Sequence, residues 1–567
     1  MSTNDNTVAP LPRSVEWAIG WLMICCSLFV VNAFAVLFGL HVTAFSLPLC
    51  VVVALILLYW VSKRDGRAIT KKRLLVIGVT YMVATVLLGY VVSWIWEYSY
   101  WGRGFYTDAV VKLADGWNPI YAGADGAPEI VYRSGKAVWM MDASFYAFLG
   151  HYEMAKLHTV MFAIPTFLLA RHFFVRLLEG HTRLATLSTL LLLANPVALS
   201  QMFTYYDDAV LAFLSVCFLI LSYLTLNEGY LHSDLLLTMG FAWVFILNMQ
   251  MGGLRTALIL GLALIVFVAI FYKKQAVKWL CIRAAAVVTV GFAIVGFNPF
   301  MQNLLDYGNP FCLLFGDHAV NVTSAYMPWV LEGKTQLGQF IVSMLSSPDT
   351  AVLDLNIVLQ QLTAVVNSAY AAADVRLRGF GFIGGALLLV ALMLLVVSLL
   401  IRRKPDTEDD AIYFDSDEEK PMYCNYLSER VALLWMAIPI CLLVLLCATP
   451  WWARTVAVFW TLIPLAIVAL CVRRGNSKSN VAKGLLILAF LNCGLMAFST
   501  ISAATSYTAD MKGHWERMSM AELPSEEDAR THNEYMKNYK TWNKLKGQGE
   551  SKRIKKALWT KVENIVK

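Results

Sequence analysis

The side chains able to do chemistry in this chain are acids and cations set among aromatic residues at the edges of apolar runs. Glu97 and Asp108 lie in 96-WEYSYWGRGFYTDAVVKLADGWNPIY-121, and Asp207 and Asp208 follow two tyrosines in 195-NPVALSQMFTYYDDAVLAF-213. Arg454 stands in 449-TPWWARTVAVFW-460, Arg376 in 374-DVRLRGFGFIGG-385, Lys136 at the head of 135-GKAVWMMDASF-145, and Arg255 just inside another apolar run. A carboxylate within hydrogen-bond reach of a hydroxyl is a general base. An arginine fork suits phosphate oxygens, and a helix N-terminus adds its own attraction for an anion. Each group also has a purely structural reading. Glu97 is then a membrane-boundary carboxylate and Asp108 a helix-face acid, while Asp207 and Asp208 supply negative charge at a helix N-terminus. Arg454 and Arg376 become snorkelling cations, and Trp117 and its fellow tryptophans an interfacial belt.

The elements that must position these groups are membrane helices. Hydrophobic residues make up 58% of the 567 positions and charged residues 15%, a polytopic composition. Residues 1–16 are polar and a full-length apolar run starts at Trp17, so the first span is expected to stay in the membrane. The expected fold is all-α, with about thirteen transmembrane helices and short interfacial helices in the outside loops. Basic clusters at 63–73, 171–183, 273–279, 402–404 and 473–479 alternate consistently if all are cytoplasmic. That places a multi-pass chain in the cell membrane with its N-terminus inside and its C-terminus outside. Loops 96–152 and 298–378 are then outside, and an acidic loop, 402–430, is inside. Residues 1–503 form the membrane module and 504–567 a polar tail ending in the basic, amphipathic 551-SKRIKKALWTKVENIVK-567. The net charge of +7 resides mostly in the inside loops, so no nucleic-acid partner is expected. The 11 cysteines show no Cys-x-x-Cys spacing and read as packing residues. Polar and aromatic residues gather at one membrane face, which suggests a site that a lipid head group and a polar acceptor reach together.

In order and spacing, Asp115-Gly-Trp-Asn-Pro119, the Asn195-Pro196-Val197 segment, 296-GFNPF-300, the Gly379-Phe-Gly381 turn and Trp451-Trp-Ala-Arg454 resemble bacterial multi-spanning membrane glycosyltransferases of the GT-C superfamily. The resemblance covers roughly 95–465. It implies a sugar carried on a polyprenyl phosphate, membrane lipid around it, and a glycan, lipid or protein acceptor. It also implies a carboxylate base in the first outside loop. Glu97 takes the position of the family's first loop aspartate, Trp101 that of the second, and Phe105-Tyr106 replaces a Tyr-His pair. The family's later acid falls on Asp208, followed by Ala209 in place of glycine. Glu97, Asp108 and Asp208 are therefore the expected catalytic acids. Arg454, Lys136, Trp117, Tyr206, Asp207 and Arg376 are the expected substrate contacts, and a divalent metal is left open. Two other readings compete: a catalytically degenerate relative that binds within an envelope complex, and a transporter or lipid flippase using Asn248 and Gln250.

Overall fold

The computed structural model describes residues 11–65, 69–227, 233–317, 319, 327–345, 373–376, 379–400, 428–474 and 479–520. The acidic inside loop up to residue 427, most of 318–378 and the basic end of the tail lie outside the described residues. Every regular element among the described residues is helical. Nine of these helices are long and apolar enough to cross a membrane, and several shorter apolar helices accompany them. This is a helical membrane protein. Among the described residues these nine are the candidate spans by length and composition, and other expected runs form shorter apolar helices there, such as Thr182–Leu193, Ser233–Leu247 and Gly384–Leu400.

Burial sorts the helices into a centre and a rim. Asp208–Asn227 and the helix reached through Ala453–Thr461 are central, with 89% of their apolar windows buried. Lys71–Val92 lies at the rim and turns Leu75, Val79, Val83 and Leu87 outward. Such a stripe is untenable in water and natural against lipid. Polar groups inside the bundle are pinned across helices, because lipid offers them no partners. Trp21 Nε1 donates to Met161 O at 2.9 Å and Asn32 Nδ2 to Ser144 Oγ at 2.8 Å. Trp435 and Trp460 donate in the same way to Leu219 O and Leu191 O. All cysteines among the described residues are free.

The first loop folds where its sequence pattern suggests. A π-helical turn, Gly102–Tyr106, leads into the helix Thr107–Ala114. The helix stops at Asp115, and Gly116 takes φ +100°, a backbone conformation that favours glycine. Trp117 Nε1 then closes on Gly123 O at 2.9 Å, and Asn118 Nδ2 reaches Val36 O at 2.8 Å. The Gly-Trp-Asn-Pro stretch thus ties the loop to the end of the first helix.

At the other end of the chain, the helix Asn480–Met520 runs without a break through the 503/504 boundary expected between module and tail. Its later turns lie against the first loop. Trp96 N donates to Thr508 Oγ1 at 3.0 Å, Arg103 Nη1 to Tyr507 OH at 2.9 Å, and Lys512 stands over the Trp96 ring. The start of the tail is therefore on the same face as loop 96–152.

Candidate active site

One cation organises the end of the bundle beside the first loop. Arg454 is 9% exposed. Its Nε forms an ion pair with Asp208 Oδ2 at 2.8 Å and its Nη1 donates to Asp374 Oδ1 at 3.2 Å. Asp208 begins the helix Asp208–Asn227, and Gln201 Nε2 donates to the same Oδ2 at 3.0 Å. Gln201 Oε1 accepts from Ala209 N, which ties Gln201 to that helix start. Asp374 also accepts from Tyr206 OH at 2.7 Å and from Arg376 at 2.9 Å. The guanidinium of Arg454 lies 4.2 Å from the Tyr206 ring centroid and 5.1 Å from that of Trp452, a cation–π sandwich. Trp451 and Trp452 stack with centroids 5.3 Å apart. Burial raises the Tyr206 phenol far above its ordinary value against the opposing pull of Arg454, so it stays a proton donor. Tyr106 closes the site from the first loop, edge-on to Tyr206 and donating to Gln250 Oε1 at 2.7 Å.

Asp207 differs from its neighbours. It is 5% exposed. Apart from its own backbone N–H, no group among the described residues donates a hydrogen bond to its carboxylate. Burial and then the charge of Asp208 push its pKa up to about 7, with Arg454 and His158 opposing. The backbone around it is held from below. His158 Nε2 meets Tyr206 O at 2.8 Å while its Nδ1 meets Asp142 Oδ2 at 2.7 Å, all fully buried.

The site therefore unites Asp208, Arg454, Tyr206, Asp207 and Arg376 from three separate stretches of sequence. The other expected residues are elsewhere. Glu97 is buried and turned into the protein, where its carboxylate accepts from Ser99 N at 2.9 Å, from Ser99 Oγ, and from Tyr205 N at 2.7 Å. Its own N–H donates to Glu153, whose carboxylate pairs with Lys156, and Lys156 also donates to Ile95 O. Gly102 packs directly on the Glu97 carboxylate, where any Cβ would collide. Burial raises the Glu97 pKa, while Lys156 and Ser99 lower it. This is a junction that joins loop 96–106 to the next helix. Glu97→Gln should accordingly act on stability. The amide NH₂ must face either Ser99 or the Tyr205 N–H, at a cost of about 1–3 kcal/mol. The thermal midpoint should drop while turnover per folded molecule stays within a few-fold. A loss of turnover of about 10²-fold at an unchanged midpoint would return Glu97 to the role of base.

Asp108 sits half-buried in the first turn of Thr107–Ala114, on roughly the opposite side of the helix from Tyr106. Trp117 is buried in its turn. Lys136 is 1% exposed, with Nζ 2.8 Å from Tyr132 O, 3.0 Å from Ser134 O and 2.5 Å from Asn298 Oδ1. Burial drives its pKa well down and Arg133 adds to this, whereas three facing oxygens match the three N–H donors of an ammonium. Lys136→Met should leave those acceptors orphaned and lower stability by about 1–3 kcal/mol, read as a shift in thermal midpoint. An unchanged midpoint would show that this amine does not hold the loop. Asn248 and Gln250 also stand at this end of the bundle: Asn248 O accepts from Ala137 N and Gln250 accepts from Tyr106. No group of three or more His, Cys, Asp or Glu side chains able to hold a metal ion occurs among the described residues.

Asp374 escaped the sequence reading although it stands two residues before Arg376. An acid in Asp-x-Arg just before an apolar helix was the available signal. Gln201 and the Asp142–His158 pair carried none, because single polar residues in apolar runs look alike until their partners are known. Comparisons with protein-family models, with curated proteins and with solved structures find no match.

Proposed function

We propose that the protein is a membrane glycosyltransferase that takes a sugar from a polyprenyl-phosphate carrier and delivers it to an envelope acceptor outside the cytoplasm. The observation that carries this reading is the Arg454 cluster. A guanidinium fixed by Asp208 and Asp374 and flanked by Tyr206 and Trp452 lies beside Asp207, a carboxylate that takes no hydrogen bond from another residue among those described. In the reaction the acceptor oxygen attacks the anomeric carbon, the bond from that carbon to the phosphate oxygen breaks, and the polyprenyl phosphate leaves with the electron pair. The acceptor proton passes to Asp207. Arg454 and the more exposed Arg376, whose side chain is 39% accessible, stabilise the charge gathering on the phosphate. Stacked Trp451 and Trp452, both buried, back the site and present the Trp452 ring to Arg454 and Arg376. Asp208 and Asp374 hold the cations in place.

The competing reading, a binding-only subunit, draws on one specific observation. Arg454 already has two carboxylates, so a phosphate must share that cation with them. Purified protein in nanodiscs, given a panel of short-chain polyprenyl-phosphate sugars and an envelope extract as acceptor, separates the two. Release of polyprenyl phosphate supports transfer. Saturable binding without release makes the protein a binding subunit, and neither binding nor release sinks both.

A further inference from the structure

At the end of the bundle away from loop 96–152, a cavity of about 500 Å³ opens between Asp208–Asn227, Ser233–Leu247, Met251–Phe271 and Lys274–Thr289. Its size lies within the usual range of ligand pockets. Phe218, Met239, Trp243, Leu264 and Leu280 line it, and Arg283 is its charged lining residue among those described. The hydroxyls in its wall are already spent. Ser222 donates to Phe218 O at 2.7 Å, Thr225 to Leu221 O at 2.8 Å, Ser233 to Asp65 and Tyr272 to Leu226 O. Arg283 pairs with no carboxylate among the described residues.

The helix that carries Arg283 is itself unusual. Lys274–Thr289 has no fully buried residue: only one face, Ala276, Val277, Leu280, Val287 and Val288, is partly buried against the core, and most of the rest is exposed. It begins beside Lys273 and Lys274, and Arg283 lies nine residues on, about 14 Å along the axis. Side chains on a helix lean toward its N-terminus, and a long arginine reaches back farther still. The side chain therefore leans toward the lysine end, the side on which head groups lie, while Val287 lines the cavity beyond it.

We infer that this cavity is a binding site for an anionic diacyl phospholipid of the surrounding bilayer, its phosphate on Arg283 and an acyl chain between Lys274–Thr289 and the helices behind. The lipid fills the space that the single packed face of the helix leaves open. The site is independent of the Arg454 cluster, and its test does not use activity.

Native mass spectrometry of the full chain, delipidated and then given phosphatidylglycerol or phosphatidylcholine with matched chains, reads the site directly. Wild type should retain the anionic lipid preferentially. Arg283→Gln should lower that retention about fivefold, the loss of one cation near a lipid surface, and leave the zwitterionic lipid unchanged. Gly240→Leu should displace both lipids, because a Cβ at Gly240 meets only the Val287 side chain, at ordinary contact distance, and further atoms enter the cavity. Equal retention of the two lipids by wild type, or no effect of Arg283→Gln, overturns the head-group assignment. Unchanged retention by Gly240→Leu places the lipid elsewhere. Retention of a polyprenyl phosphate in preference to phosphatidylglycerol at equal concentration shows that the occupant is misassigned.

Discussion

Asp207→Asn should cut sugar transfer by about 10²-fold or more while leaving the protein at least as stable as the wild type. The first half follows from geometry. Asp207 is a buried acid beside Arg454 to which no other described residue donates a hydrogen bond, so it is the carboxylate left to take a proton. The second half follows from linkage. An aspartate in the unfolded chain titrates near 4, and here burial and Asp208 raise the folded value to about 7. The folded state then binds the proton more tightly. The cost of ionising Asp207 is absent below about pH 4, grows as pH rises toward 7, and is fully present above it. Three pH units correspond to roughly 4 kcal/mol as an upper figure. At pH 8 the asparagine variant should melt at or above the wild-type midpoint, and the two should converge near pH 4. Activity runs the other way: the wild-type rate should climb through about pH 7 as the base ionises. A variant that transfers sugar at the normal rate removes Asp207 from the chemistry. A variant that melts lower at pH 8 contradicts the electrostatic argument.

The second large effect belongs to Arg454. Arg454→Gln leaves Asp208 and Asp374 facing one another without their shared cation, and breaking a buried pair from one side costs about 3–5 kcal/mol. Loss of activity in this variant alone is therefore ambiguous. The double replacement Arg454→Gln with Asp208→Asn removes one acid along with the cation and should recover most of the thermal stability. It should remain slower than wild type by about 10²-fold or more, because charge on the leaving phosphate has lost its partner. Arg454→Lys keeps the charge but loses the fork and the flat face between Tyr206 and Trp452, and should fall in between. Wild-type turnover in the stabilised double variant would reduce Arg454 to a structural counter-ion.

Much of this architecture is legible in the sequence, for a simple physical reason. Lipid forces the backbone into helices, so apolar runs map onto them directly. Polar residues that survive at the ends of those runs mark a face where water is close. Hence Tyr206, Asp207, Asp208, Arg376 and Arg454 can be nominated together from hydropathy, charge and motif order, and the structure brings them together. What hydropathy cannot supply is the direction in which a side chain turns. Glu97 sits just past an apolar run, where a base at the boundary would stand. Yet Ser99, two residues on, presents its N–H and hydroxyl, and Tyr205 presents its N–H from a distant segment. Those donors draw the carboxylate inward. Lys136 is captured in the same way by carbonyl oxygens of its own turn and by Asn298. The start of the tail is a related case. Hydropathy drops near 503, but Tyr507 and Thr508 find partners on the first loop, and the helix continues to Met520.

That last contact sets a timetable for biosynthesis. Trp96 N and Thr508 Oγ1 are 412 residues apart in the chain. At a synthesis rate of about 5–20 residues per second, the loop bearing Trp96 and Arg103 emerges from the ribosome some 20–80 s before the helical turns that cap it. The nascent loop must spend that interval without them, and a polypeptide terminated ahead of Tyr507 never acquires them.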